Sequence, residues 1–268
     1  MGLFSGNFYA PSLRMATRVN VIVPDPSNDV DPLQTDELSV LYLLHGLAAN
    51  ADEWVRFSKI EYYAKKYNLV VVMPETQRFF YTDTAFGPRY FEYLTQDLPR
   101  LVSTWFRVPT DREHTLIAGE SMGGYGALRA AFAHPEKFGG VAALSAVADI
   151  REFRRMVADG RFPDMLPSEF DAMYGVDADV PDECDLAWLV DGYAAREDAP
   201  DLRVCSFCGE QDPFIPMNRE LSARMGAAGV EHLYREWEGD HEWPFWDVAI
   251  QRAIQYLLGY DIETSPIY

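Results

Sequence analysis

The sequence predicts an α/β fold: a mostly parallel central sheet flanked by helices, with a small cap inserted over residues 149–201. Three observations carry this. Short apolar runs alternate with longer amphipathic ones, the pattern of strands and helices laid down in turn. The central apolar runs are nearly continuous, as expected of strands covered on both faces. A serine among glycines, in "IAGESMGGYGALRAA" from Ile117 to Ala131, stands where an apolar run gives way to an alanine-rich one.

Taken in order, "TRVNVIVP" and "SVLYLLHG" read as the first two strands, and the Pro- and Asp-rich connection from Pro24 to Asp36 between them predicts an antiparallel start. "DEWVRFSKIEYYAKKYN" has helical spacing, "LVVVMPE" is a strand, and "FEYLTQDLPRLVSTWF" is again helical. "HTLIAGE" is the strand before the glycine-rich turn, and the alanine-rich run after Ser121 is the helix that follows. "VAALSA", "LRVCSFCG" and "HLYREWEG" complete the strands, and "NRELSARMGAAG" and "WPFWDVAIQRAIQYLLGY" the helices. The stretch from Asp149 to Asp201 breaks this rhythm, with four prolines, many acids and short helical pieces such as "REFRRMVADG" and "DLAWLVDGYAA". It is too short and too polar to hold a core of its own, so it reads as a cap on a single domain spanning 1–268.

At 268 residues with 48% apolar content, the chain can bury one substantial core. Its formal charge of -19 repels phosphate backbones and anionic headgroups, so neither nucleic acid nor a membrane surface is an expected partner. Early residues Gly6, Asn7, Pro11 and Arg14 interrupt any apolar leader, and Gly6 stands where a myristoylation signal wants Ser or Thr. Cys205 and Cys208 form a CxxC inside a strand-like run, where they point to opposite faces, so no metal and no redox role is expected. Few thiols and no export signal predict a cytoplasmic protein.

A GxSxG match by itself arises by chance in roughly one chain in ten of this length. Here Gly119, Ser121 and Gly123 sit between a strand and a helix, where a tight turn exposes a serine at the sheet's carboxyl edge and the helix N-terminus favours developing negative charge. A serine hydroxyl is a weak nucleophile near neutral pH and needs a base, itself oriented by a third group. Of five histidines, His45, His114, His134 and His232 read as hydrogen-bonded packers within or beside elements. His241, in "EGDHEWPFW" between the last strand and the last helix, lies on the serine's edge of the sheet. The turn "CSFCGEQDPFIP" offers Glu210 and Asp212 as the orienting acid, and Asp212 lies deeper in it. Asp149 competes, and Asp240 reads as a turn residue beside the base. An oxyanion formed on attack needs fixed donors. The Met122 N–H is one, and Leu47 or Ala48, after the strand ending at "LLHG", supplies the other.

Several spaced motifs, "YLLHGLAANADEW", "YFEYLTQDLP", "GESMGGYGALRAA", "HPEKFGGVAALS", "CGEQD" and "GDHEWPFW", occur in family order. From about Arg18 to Leu258 the chain resembles the tributyrin esterase and feruloyl esterase branch of the esterase D family of α/β-hydrolases. That resemblance implies Ser121 as nucleophile, Asp212 as acid, His241 as base, and the Leu47 and Met122 amides as the oxyanion hole. Glu120 is similar to the residue that tributyrin and feruloyl members carry before the serine, where S-formylglutathione hydrolases usually carry histidine.

The expected activity is a serine carboxylesterase that forms an acyl-enzyme, needs no cofactor and acts on a small-molecule ester, with homo-oligomerisation left open. Its rivals are a thioesterase, an acyltransferase, a peptidase of the same fold, and a non-catalytic binding protein. Aromatic density in "RFFYTDTAFGPRYFEY" and "EWPFW" predicts a short apolar pocket walled by Trp54, Phe80, Tyr81 and Trp243, suited to a small acyl or planar hydroxycinnamoyl group. Phe91 and Tyr93, on a helix, read as core.

Overall fold

The computed structural model describes residues 1–25 and 38–268, so most of the connection from Pro24 to Asp36 lies outside the described residues. Eight strands form one sheet: β1 (Gly2–Ala10), β2 (Met15–Val23), β3 (Ser39–Leu44), β4 (Leu69–Pro74), β5 (Thr115–Glu120), β6 (Gly140–Leu144), β7 (Arg203–Gly209) and β8 (His232–Trp237). Their spatial order is β1-β2-β4-β3-β5-β6-β7-β8. β3 to β8 run parallel, while β2 is antiparallel to both β1 and β4. The antiparallel start is therefore present, but β2 lies beside β4 and not beside β3, and β1 is an additional edge strand.

The helices are α1 (Glu53–Phe57), α2 (Ile60–Lys66), α3 (Tyr90–Glu92), α4 (Leu98–Trp105), α5 (Met122–Ala133), α6 (Ile150–Ala158), α7 (Pro167–Tyr174), α8 (Leu186–Ala194), α9 (Ile215–Ala227) and α10 (Trp243–Leu257). A π-helical stretch, Tyr93–Asp97, joins α3 to α4. The run expected as one helix over residues 52–68 is two. Ser58 turns extended after α1, and the Lys59 N–H is held by Asp247 at 2.8 Å. In the cap, α7 joins the two helical pieces expected from sequence.

Successive strand residues feed opposite faces of the sheet, and each face has its own apolar layer. Val40, Tyr42 and Leu44 of β3 pack with Ile117, Val141 and the residues of α5 and the cap. Leu41 and Leu43 pack with Trp54, Tyr63, Phe207 and the inward side of α10. Two covered faces account for the continuous apolarity of the central strands. The register then sets the chemistry: Leu44 pairs with Gly119, Glu120 with Leu144, and Leu144 with Phe207, so the carboxyl ends of β3, β5, β6 and β7 lie level. Among the described residues, no helix is long and apolar enough to cross a membrane, and no cluster of His, Cys, Asp and Glu forms a metal site.

Candidate active site

Ser121 occupies the sharp turn between β5 and α5, with φ 55° and ψ −117°. This conformation is strained for a residue with a side chain, and neighbouring structure holds it there. The Ser121 N–H donates to the Leu144 carbonyl at 2.8 Å, and its own carbonyl accepts from Val147 and Tyr125 at 3.2 and 3.1 Å. A Cβ on Gly119 would overlap the Gly123 backbone, and one on Gly123 would come within 2.5 Å of the Leu44 carbonyl oxygen. Glycine at both positions is therefore a packing requirement of the turn.

The turns after β7 and β8 are stitched together beside it. Gln211 N–H donates to the Gly239 carbonyl at 3.0 Å, and Gly239 N–H to the Gln211 side chain at 2.8 Å. This pairing brings His241 to Asp212. His241 Nδ1 lies 2.8 Å from Asp212 Oδ2, and Nε2 lies 3.0 Å from Ser121 Oγ. The Asp212 side chain is fully buried, and its other oxygen accepts the Phe214 N–H at 2.8 Å. With the carboxylate accepting at Nδ1, the imidazole carries its proton there and presents Nε2 as an acceptor to the serine hydroxyl. Phe214 and Trp246 meet the ring edge-to-face, each at 4.9 Å, and fix its tilt.

The Leu47 and Met122 N–H groups make no hydrogen bond among the described residues. They are donors without acceptors beside the serine turn, the arrangement that an oxyanion would fill. Directly behind Leu47, His45 Nδ1 bonds the Gly46 carbonyl at 2.8 Å, its Nε2 accepts the Thr76 N–H at 3.2 Å, and Tyr81 Oη donates to the His45 carbonyl at 2.8 Å. Burial holds the His45 pKa below its ordinary value, partly offset by Glu75, so the ring is neutral. The histidine expected to be a packer thus grips the strand end leading into the loop. Its place in "LLHG" was the only sequence signal for this.

The other sequence candidates lie elsewhere. Asp149 caps α6 by accepting the Glu152 N–H at 2.8 Å. Asp240 accepts the His241 N–H at 2.8 Å, a turn residue as expected. His232 pairs with Ser206, His134 with Glu136, and His114 with Asp111. The aromatic wall differs from expectation. Trp54, Phe80 and Tyr81 are 1%, 0% and 0% exposed, so they lie beneath the surface and do not line a cleft. Consecutive positive φ values at Phe80 and Tyr81, 48° and 52°, turn both rings inward, and Trp54 donates to the Leu44 carbonyl at 3.0 Å. Trp243 stays half-buried, packed against Trp54 and Phe57 at 5.0 and 5.4 Å. The cap supplies rings that the sequence reading did not single out. Phe153 and Phe162 contact Phe214 at 5.8 and 6.0 Å, and Phe214 contacts His241. A separate cavity of about 1200 Å³, lined by Arg112, Arg203 and Tyr256, opens near the strands' amino ends, away from this site.

The chain resembles known proteins over nearly its whole length. It is 28% identical over 268 residues to an acetyl esterase of Caldicellulosiruptor saccharolyticus, covering 96% of this chain and 98% of that one. The substrate-bound structure of the fluorophosphonate-binding serine hydrolase F (FphF) of Staphylococcus aureus superposes with a TM-score of 0.84 at 29% identity, covering 96% and 98% of the two chains. An S-formylglutathione hydrolase (FrmB) from the same organism gives 0.80 at 28% identity, covering 96% and 99%. These neighbours share the α/β-hydrolase fold, the Esterase family model matches residues 11–257, and the chain belongs to the Esterase family.

Proposed function

We propose that the protein is a serine carboxylesterase for short-chain acyl or hydroxycinnamoyl esters. The observation that carries this is the relay Asp212–His241–Ser121, with hydrogen-bonding distances of 2.8 and 3.0 Å, next to two unengaged backbone donors. His241 takes the Ser121 proton as Oγ attacks the ester carbonyl, and the Leu47 and Met122 N–H groups receive the oxyanion. Asp212 stabilises the imidazolium that forms. His241 then returns the proton to the departing alcohol, leaving an acyl group on Ser121. A water deprotonated by His241 attacks that acyl group, and the second tetrahedral intermediate collapses to release the acid and restore the serine. Each oxyanion donor contributes roughly 10²–10³-fold to turnover in such sites.

The short-acyl preference is supported by the half-buried cap ring Phe162, which closes on Phe214 beside the base, and by the acetyl esterase relative. The likeness to an S-formylglutathione hydrolase favours thioesters as a second reading. Glu120, where those hydrolases usually carry histidine, counts against it. The three cysteines are buried free thiols, which fits a reducing, cytoplasmic setting. The test is a series of kcat/KM values for nitrophenyl acetate, butyrate, octanoate and palmitate, with methyl ferulate, chlorogenate and S-formylglutathione alongside. Butyrate is expected to exceed palmitate by at least about 100-fold, two or more methylenes' worth of discrimination in a closed pocket. A rate that climbs to palmitate would overturn the short pocket, and dominance of S-formylglutathione would favour the thioesterase.

A further inference from the structure

Glu120 immediately precedes Ser121, is 2% exposed, and takes no part in the relay. Its carboxyl crosses from the end of β5 to the end of β3, where Oε1 accepts the Gly46 N–H. Both carboxyl oxygens lie so close to Gly46 that a Cβ at that position would overlap them. Gly46 is therefore held at both polar groups, its N–H by Glu120 and its C=O by the His45 ring. The Gly46 C=O belongs to the same peptide unit as the Leu47 N–H. A trans peptide is planar and points its N–H opposite its C=O, so fixing one direction fixes the other. The two proposed oxyanion donors thus sit on two segments, Gly46–Leu47 and Glu120–Met122, that one carboxyl ties together.

We infer that Glu120 is a positioning residue for the oxyanion site: it anchors the His45–Gly46 peptide, one unit before the Gly46–Leu47 peptide whose carbonyl the His45 ring holds, against the turn that carries Ser121 and Met122. This rests on the serine esterase reading. Burial pushes the carboxyl's pKa well above the usual carboxylate range, Glu53 adds to the rise, and the Gly46 N–H pulls the other way, a balance that favours the neutral form. A neutral acceptor holds the amide without setting a negative charge behind a developing oxyanion, and a glutamine carbonyl can replace it.

The experiment compares Glu120→Gln and Glu120→Ala on nitrophenyl butyrate, together with inhibition by a trifluoromethyl ketone whose tetrahedral adduct carries an oxyanion. Glu120→Gln is expected to keep kcat within about 3-fold of wild type. Glu120→Ala is expected to lower kcat by roughly 10–100-fold, less than outright loss of a donor, and to weaken the ketone by a similar factor while KM moves little. Glu120→Met fills the same space without an acceptor, should behave as Ala does, and replaces it if the cavity in Glu120→Ala unfolds the chain. Wild-type kcat in folded Glu120→Ala or Glu120→Met overturns the inference, as does a Glu120→Gln variant as impaired as Ala. If Ser121→Ala is inactive in the same assay, such a result leaves the esterase reading standing. Turnover that survives in Ser121→Ala removes both.

Discussion

Replacing Asp212 with asparagine isolates the role of the buried acid, because the structure dictates how the new amide must sit. Asp212 Oδ1 accepts the Phe214 N–H at 2.8 Å, and Oδ2 faces His241 Nδ1 at 2.8 Å. In Asp212→Asn the amide oxygen must stay against Phe214, since the flipped orientation would set two donors against each other in a buried site. The amide NH2 then faces His241 and forces Nδ1 to accept. The ring proton moves to Nε2, which points at Ser121 Oγ 3.0 Å away and can no longer take the hydroxyl proton. This wrong-tautomer state lowers kcat by about 10⁴-fold, or about 5 kcal/mol, in a triad of the same geometry. Asp149→Asn is the control. Its side chain caps α6, asparagine caps equally well, and neither rate nor stability should change beyond about 0.5 kcal/mol. The assay is kcat for nitrophenyl butyrate at neutral pH, with thermal melts to show that both variants fold. An Asp212→Asn enzyme within tenfold of wild type, or an Asp149→Asn enzyme that loses as much, would refute the reasoning.

Two further predictions concern stability. Burial holds His232 at about 4, below its ordinary 6.5, so the folded state binds fewer protons than the unfolded state between these values. Stability should be full above about pH 6.5 and fall as the pH drops toward 4, by up to about 3 kcal/mol from this residue; denaturant titrations of His232→Gln should show a shallower slope over that window, and an unchanged slope would contradict it. Phe153 is fully buried among Phe80, Phe162, Phe170 and Phe214, so Phe153→Ala should cost about 3–5 kcal/mol in chemical denaturation and loosen the wall beside His241. A loss under 1 kcal/mol would mean that the cap packs less closely than these contacts indicate.

The parallel half of the fold was legible because its strands are covered on both sides and punctuated by turns whose glycines have a steric reason. The elements that sequence reasoning missed carry weaker signals. β1, "GLFSGNFYA", is an edge strand with Leu3, Phe4 and Tyr9 exposed, so burial leaves no clean alternation in it. α7 is short, and Pro167 at its start was the readable cue. The positions of Ser121, Asp212 and His241 could be read from their turns, because chain order and strand order bring those turns to one sheet edge. The aromatic wall could not. Whether "FFYTD" faces a cleft depends on two left-handed residues, Phe80 and Tyr81, and no local propensity predicts a positive φ for bulky aromatics. The Glu120–Gly46 contact was hidden for a different reason. It joins residues 74 positions apart and depends on the β3–β5 register.

The central claim, that Ser121 is the nucleophile of an ester hydrolase, is tested most directly by intact-protein and peptide mass spectrometry after treatment with a fluorophosphonate, run beside nitrophenyl butyrate turnover. The account predicts a single adduct on the peptide containing Ser121 in the wild type, none in Ser121→Ala, and a fall in turnover of about 10⁴–10⁶-fold in that variant. An adduct on another residue, or hydrolysis undiminished in Ser121→Ala, would contradict it.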